Sequence, residues 1–184
     1  MLNELGVRYV IIGHSERRWK LGESNEMVNK KLKSALDNEL IPIVCIGERT
    51  RDGNFKKFLE EQVAGTFKDL TADDIGKCMI AYEPVWAIST NPGSRPDTAQ
   101  SALESIHIIK EALSGKSQIP NPKSQINSKP QIPNIKQLFL YGGSITSKNA
   151  ADFLKEKEIN GVLIGGASVN KEEFVKILSI VSKL

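Results

Sequence analysis

Five short apolar runs recur along this chain, each separated from the next by a longer stretch whose apolar residues return every three or four positions. The runs are Tyr9 to Ile12, Ile41 to Ile46, Met79 to Tyr82, Leu138 to Tyr141 and Val162 to Ile164. They read as continuous apolar rather than alternating, which is the pattern of strands covered on both faces. Between them, Val28, Leu32, Ala35 and Leu36 form one helical stripe and Phe55, Leu59, Val63 and Phe67 a second. A third runs through Ala99, Ala102, Leu103, Ile106, Ile109 and Leu113, with Pro96 suited to the first turn of that helix. A last helix is expected to open at Asn170, with Glu173 three residues on in a capping-box arrangement. Strands alternating with helices in this way specify an α/β fold with a parallel sheet and helices packed outside it.

At 184 residues the chain supports one substantial core, and 40% apolar with 26% charged residues is ordinary for a soluble domain. No apolar run approaches the ~20 residues that a membrane-spanning helix requires, and no basic-then-apolar export signal opens the chain. The expected location is cytoplasmic. The net charge of +3 arises from 25 basic and 22 acidic residues, interspersed, which argues against nucleic acid as a partner. Cys45 and Cys78 lie inside apolar runs and are expected to be buried thiols. With two histidines and no paired Cys/His spacing, no metal site is expected.

Residues 114–136 break the alternation. They contain four prolines, many polar residues and a Gln-Ile dipeptide recurring at Gln118, Gln125 and Gln131. A segment of that composition buries too little apolar surface to offset its ordering entropy, so it is expected to be a disordered insertion in an otherwise single domain of residues 1–184.

Chemistry in a parallel α/β sheet lies beyond the carboxyl ends of the strands. His14 follows the first run and Glu83 the third, which makes them a candidate acid–base pair. His14 precedes Ser-Glu-Arg-Arg, a sequence able to form a helical first turn, where the dipole disfavours an imidazolium. The alternatives are a histidine that caps the helix and a glutamate in a strand-end ion pair. Two glycine clusters, Gly142-Gly143-Ser144 and Gly165-Gly166-Ala167-Ser168, follow the last two runs and suit a backbone phosphate cup. His107 falls within the third helix and reads as a surface or interfacial side chain.

Taken together, Ile12-Gly-His-Ser-Glu-Arg-Arg18, Ala81-Tyr-Glu-Pro-Val-Trp-Ala-Ile88, Tyr141-Gly-Gly-Ser144 and Gly165-Gly-Ala-Ser168 resemble the signatures of the triosephosphate isomerases, in that family's order. The resemblance implies a TIM-type (β/α) barrel, here with five of eight βα units. It also implies an isomerase without a cofactor that interconverts dihydroxyacetone phosphate and D-glyceraldehyde 3-phosphate, in glycolysis and gluconeogenesis. Glu83 would be the base, His14 a neutral electrophile and Glu16 a buried supporting carboxylate. Ser89, Ser144, Gly165 and Gly166 would hold the phosphate, and Pro84-Val-Trp86 would hinge a lid. A homodimer is implied as well. Three departures stand out. The first three units, with an Asn-Trp-Lys-like motif whose lysine binds substrate, have no counterpart here, and Ser89, Asn91 and Pro92 replace the usual Gly, Gly and Lys of the lid. The third is the 114–136 insertion. A catalytically silent remnant or phosphate-binding module is the competing expectation.

Overall fold

In the computed structural model, which describes residues 2–116 and 137–184, five parallel strands form one sheet in the order β1-β2-β3-β4-β5. They are β1 (Tyr9–Ile12), β2 (Ile41–Ile46), β3 (Met79–Tyr82), β4 (Phe139–Tyr141) and β5 (Gly161–Val162). Register runs Ile12 beside Val44, Ile46 beside Tyr82, and Tyr82 beside Tyr141, so β2, β3 and β4 end level while β1 stops two residues short of the end of β2. The helices are α1 (Ser15–Lys20), α2 (Asn25–Asp37), α3 (Phe55–Thr66), α4 (Ala72–Gly76), α5 (Ala99–Lys116), α6 (Ala150–Leu154) and α7 (Lys171–Val181). Because neighbouring strands in a parallel sheet are joined by right-handed crossovers, every crossover helix lies on the same face. Accordingly α2 packs on β1 and β2, α3 on β2 and α5 on β3, with α3 between α2 and α5.

The core sits between that helical layer and the sheet. Leu32, Val44, Ile46, Leu59, Val63, Phe67, Ile80, Tyr82, Ile106, Ile109 and Tyr141 belong to one buried cluster. Each buried aliphatic of this kind stabilises the fold by about 1.5–3 kcal/mol relative to an exposed one. Both cysteines are buried and unpaired, as the apolar runs around them require.

The opposite face of the sheet is less covered than the apolar runs led us to expect. Tyr9 and Ile11 of β1 are exposed, whereas Ile12 is buried against Val28, Ala35 and Leu40. The sheet is open, an incomplete TIM-type arrangement, so among the described residues nothing lies across its concave side at β1. A cleft of about 710 Å³ runs along this edge, lined in part by Val10, Ile11, Glu23 and Lys31.

Two helix starts also differ from the expectations. Helix α5 begins at Ala99, not Pro96: the Thr98 hydroxyl accepts the Ser101 amide (3.2 Å), and Pro96 stays in the preceding loop. At α7 the Asn170 side chain does accept the Glu173 amide (3.0 Å). The Glu173 carboxylate, however, turns away to the Ser147 amide (2.5 Å) and hydroxyl (3.1 Å), binding α7 to the segment before α6 instead of closing a capping box. The insertion expected over 114–136 lies outside the described residues from 117 onward, and its first three residues complete α5.

Candidate active site

Gly13 leaves β1 with φ +73°, a left-handed conformation that glycine adopts without penalty. His14 follows as the N-cap of α1, and the Glu16 amide donates to its Nδ1 (3.3 Å). That contact leaves the ring proton on Nε2, which lies 2.9 Å from Glu83 Oε1. The Glu83 hydrogen bond raises the histidine's pKa, burial lowers it, and the charges of Glu83 and Glu16 raise it further; the net shift is upward. The carboxylate therefore outweighs burial, and the shift is opposite to the one that the sequence pattern implies.

Glu83 itself is 3% exposed. Its Oε2 accepts the Ser15 amide and its Oε1 the Ser15 hydroxyl, both at 2.9 Å. These donors compensate the desolvation of a buried carboxylate. The backbone reaches this place because Gly47, just beyond β2, has no side chain: a Cβ there would stand 1.8 Å from the Glu83 carbonyl oxygen. The Glu83 amide donates to Ile46 O (2.8 Å) and the Val85 amide to Glu48 O (3.0 Å), so the ends of β2 and β3 run on as one ladder.

His14, Ser15 and Glu83 open onto a cavity of about 560 Å³ whose other walls are the Ile88–Asn91 loop, the segment 142–146 and the segment 163–167. In that cavity the Ser89 amide donates to Ser144 Oγ (2.7 Å), and the Ser144 amide to Ala87 O (3.3 Å). The amides of Gly165 and Gly166 donate to nothing among the described residues. The cavity thus has an acid–base pair at one end and free backbone donors at the other. No cluster of His, Cys, Asp and Glu able to hold a metal ion occurs among the described residues.

The family model for triosephosphate isomerase matches residues 1–181. The triosephosphate isomerase of Caldanaerobacter subterraneus subsp. tengcongensis is 40% identical over 182 residues, covering 97% of this chain and 67% of that protein. The enzymes so named from Chloroherpeton thalassium and Mycoplasmoides gallisepticum are 41% and 39% identical over 97% and 96% of this chain and 66% of each relative. This chain belongs to the triosephosphate isomerase family. It spans about two thirds of the length of the curated relatives it matches.

Of the residues that the triosephosphate isomerase signatures single out, His14 and Glu83 meet directly, and Ser89, Ser144, Gly165 and Gly166 line the same cavity. Glu16 does not take the buried position expected of it. It lines the same cavity, but its side chain is 60% exposed and paired with Lys20 one turn on (2.5 Å), a contact that holds its carboxyl below the usual range. His107 sits on the surface against Glu158 (2.8 Å), as its place in α5 implies.

Glu48 escaped notice. It is 1% exposed, and its Oε1 accepts the Tyr82 hydroxyl (2.8 Å), the Trp86 indole N–H (2.9 Å) and Arg51 Nη1 (3.2 Å). The Trp86 end of the Ser89 loop is thereby pinned to β2 and β3. The signal was available: Glu48 follows Ile46-Gly47 at the carboxyl end of β2, as His14 follows β1 and Glu83 follows β3.

Proposed function

We propose that this chain carries the acid–base and phosphate-holding machinery of an isomerase that interconverts dihydroxyacetone phosphate and D-glyceraldehyde 3-phosphate. The observation that supports this reading most directly is the 2.9 Å contact of His14 Nε2 with Glu83 at the mouth of a cavity that ends in free glycine amides. In the family the glutamate moves a proton between adjacent carbons while a neutral histidine polarises the oxygens of the enediolate. The Nε2–H tautomer of His14 suits that second task. For the first, the Glu83 carboxylate must exchange its hydrogen bonds to Ser15 for the carbon-bound proton. Its burial keeps water from competing for the base.

Phosphate would be held by the amides of Gly165, Gly166, Ser144 and Ser89. The last two are engaged by Ala87 O and Ser144 Oγ, so capture of the dianion requires the Ser89 loop to shift and release them. A cytoplasmic enzyme acting as a homodimer is the accompanying reading. It rests on family membership.

A coupled isomerase assay tests the proposal. Glu83→Asp withdraws the base by one methylene and is expected to lower turnover by about 10²-fold or more with a modest change in KM. Unchanged turnover in an active preparation removes Glu83 as the base. A protein without turnover, in which a phosphate-bearing inhibitor still protects the Gly165 and Gly166 amides from exchange, is a phosphate-binding module instead.

A further inference from the structure

Arg18 is 9% exposed and forms no ion pair within 4 Å among the described residues, yet it is held by four neutral acceptors from different parts of the fold. Its Nε donates to Gly13 O (2.7 Å), Nη1 to Asn25 Oδ1 at the start of α2 (2.8 Å), and Nη2 to Cys45 O on β2 (3.4 Å) and Thr66 Oγ1 at the end of α3 (3.3 Å). Burying a guanidinium costs several kcal/mol. Burial accordingly pulls its pKa down, against the favourable influence of Cys45, Glu83 and Glu23. A fold that needed only to fill this space would do better with an apolar side chain. What arginine offers is a rigid planar fork of five donors, able to reach separate acceptors at once, which no other side chain provides.

The acceptor at the shortest distance is the carbonyl of the peptide that carries His14. Gly13 is shaped around this contact, because a Cβ there would come within 2.8 Å of Arg18 Nη2. The chain from Gly13 to Ser15 then delivers Nε2 of His14 and both donors of Ser15 to Glu83. Resting on the reading of His14 and Glu83 as the working pair, we infer that Arg18 is a positioning residue for that pair: its guanidinium fastens the Gly13–His14 peptide to β2, α2 and α3 and so sets the reach of the imidazole to the carboxylate.

The charges that act on the His14 ring are those of Glu83, Glu16 and Lys20, and Arg18 is not among them. Arg18 does act on Glu83, so the variant that isolates position from charge is Arg18→Lys, which keeps the charge. The test is a pH titration of His14 by NMR in the full chain, with His107→Gln as the background to leave one histidine signal. Glu83→Gln marks the lower limit, since it removes the carboxylate charge that raises the midpoint. Arg18→Met, which keeps bulk, is expected to move the His14 midpoint downward toward that limit. Arg18→Lys, which keeps charge but loses the fork, is expected to do the same, and it serves alone if the methionine variant does not fold. A role in stability only would lower the melting temperature and leave the midpoint at its original value, and that outcome overturns the inference. So does a wild-type midpoint in Arg18→Lys, because charge and not the fork would then be what matters. An unmoved midpoint in Glu83→Gln would instead overturn the His14–Glu83 pair itself, and the role of Arg18 with it.

Discussion

Replacing Gly47 by alanine should damage stability and the site together. The new Cβ would stand 1.8 Å from the Glu83 carbonyl oxygen, 2.4 Å from its carbonyl carbon and 3.2 Å from its Cα. These atoms are backbone, so no rotamer change relieves the overlap, and the ends of β2 and β3 must part by more than an ångström. Parting them strains two ladder bonds, from the Glu83 amide to Ile46 O and from the Val85 amide to Glu48 O, each worth about 1 kcal/mol. Overpacking adds about 1–3 kcal/mol, for a total of about 3–5 kcal/mol. The displaced residue is Glu83, and a misplacement of about 1 Å costs on the order of 10²-fold in rate. Urea unfolding measures the first effect and His14 titration the loss of its contact with Glu83. Gly53→Ala is the control, because a Cβ there meets nothing within 4 Å and φ is not in the left-handed range. A Gly47→Ala protein within about 1 kcal/mol of wild type, with its His14 midpoint unmoved, would refute the reasoning.

Since Glu83 raises the His14 pKa, the stability this contact supplies is fully present below the ordinary histidine value of 6.5 and is lost as pH rises through the higher folded value; Glu83→Gln should flatten that dependence in urea unfolding followed across the window. Glu48→Ala leaves Arg51 with Glu104 as its carboxylate partner but deprives the buried Tyr82 hydroxyl and the Trp86 indole N–H of their acceptor, and should destabilise the protein by about 1–3 kcal/mol, with a change in Trp86 fluorescence. The exposed Tyr9 and Ile11 on an unpaired edge strand should make the chain associate as concentration rises, which sedimentation will detect, and Ile11→Lys should reduce that association.

Much of the architecture was legible because its causes are local. An apolar run bounded by polar residues forms a strand wherever it falls, and a stripe of period 3.6 forms a helix. From those two patterns came β1, β2 and β3 with their observed limits, the parallel arrangement, and the placement of His14 and Glu83 beyond strand ends. At β5 the run Val162 to Ile164 is displaced from the strand, which spans Gly161–Val162. Ile164 stands next to Gly165, where the backbone leaves the extended conformation.

What pattern alone did not reveal were contacts whose partners lie far away along the chain. Ser15 and Glu83 are 68 residues apart, and their hydrogen bonds exist because parallel register carries the segment after β1 alongside the ends of β2 and β3. The same register turns Gly47 from an ordinary glycine into the one that makes room for Glu83, and Glu48 into the acceptor shared by Tyr82, Trp86 and Arg51. Glu16 and Glu173 illustrate the converse: the family resemblance implied a buried support and the spacing suited a capping box, but Lys20 and Ser147 proved to be their partners. Amino-acid order determined which segments extend and which coil, since those preferences depend on neighbours within a few residues. Which polar groups meet was decided by the tertiary structure, because a hydrogen bond tolerates only a few tenths of an ångström and that tolerance is set by the packing of whole elements.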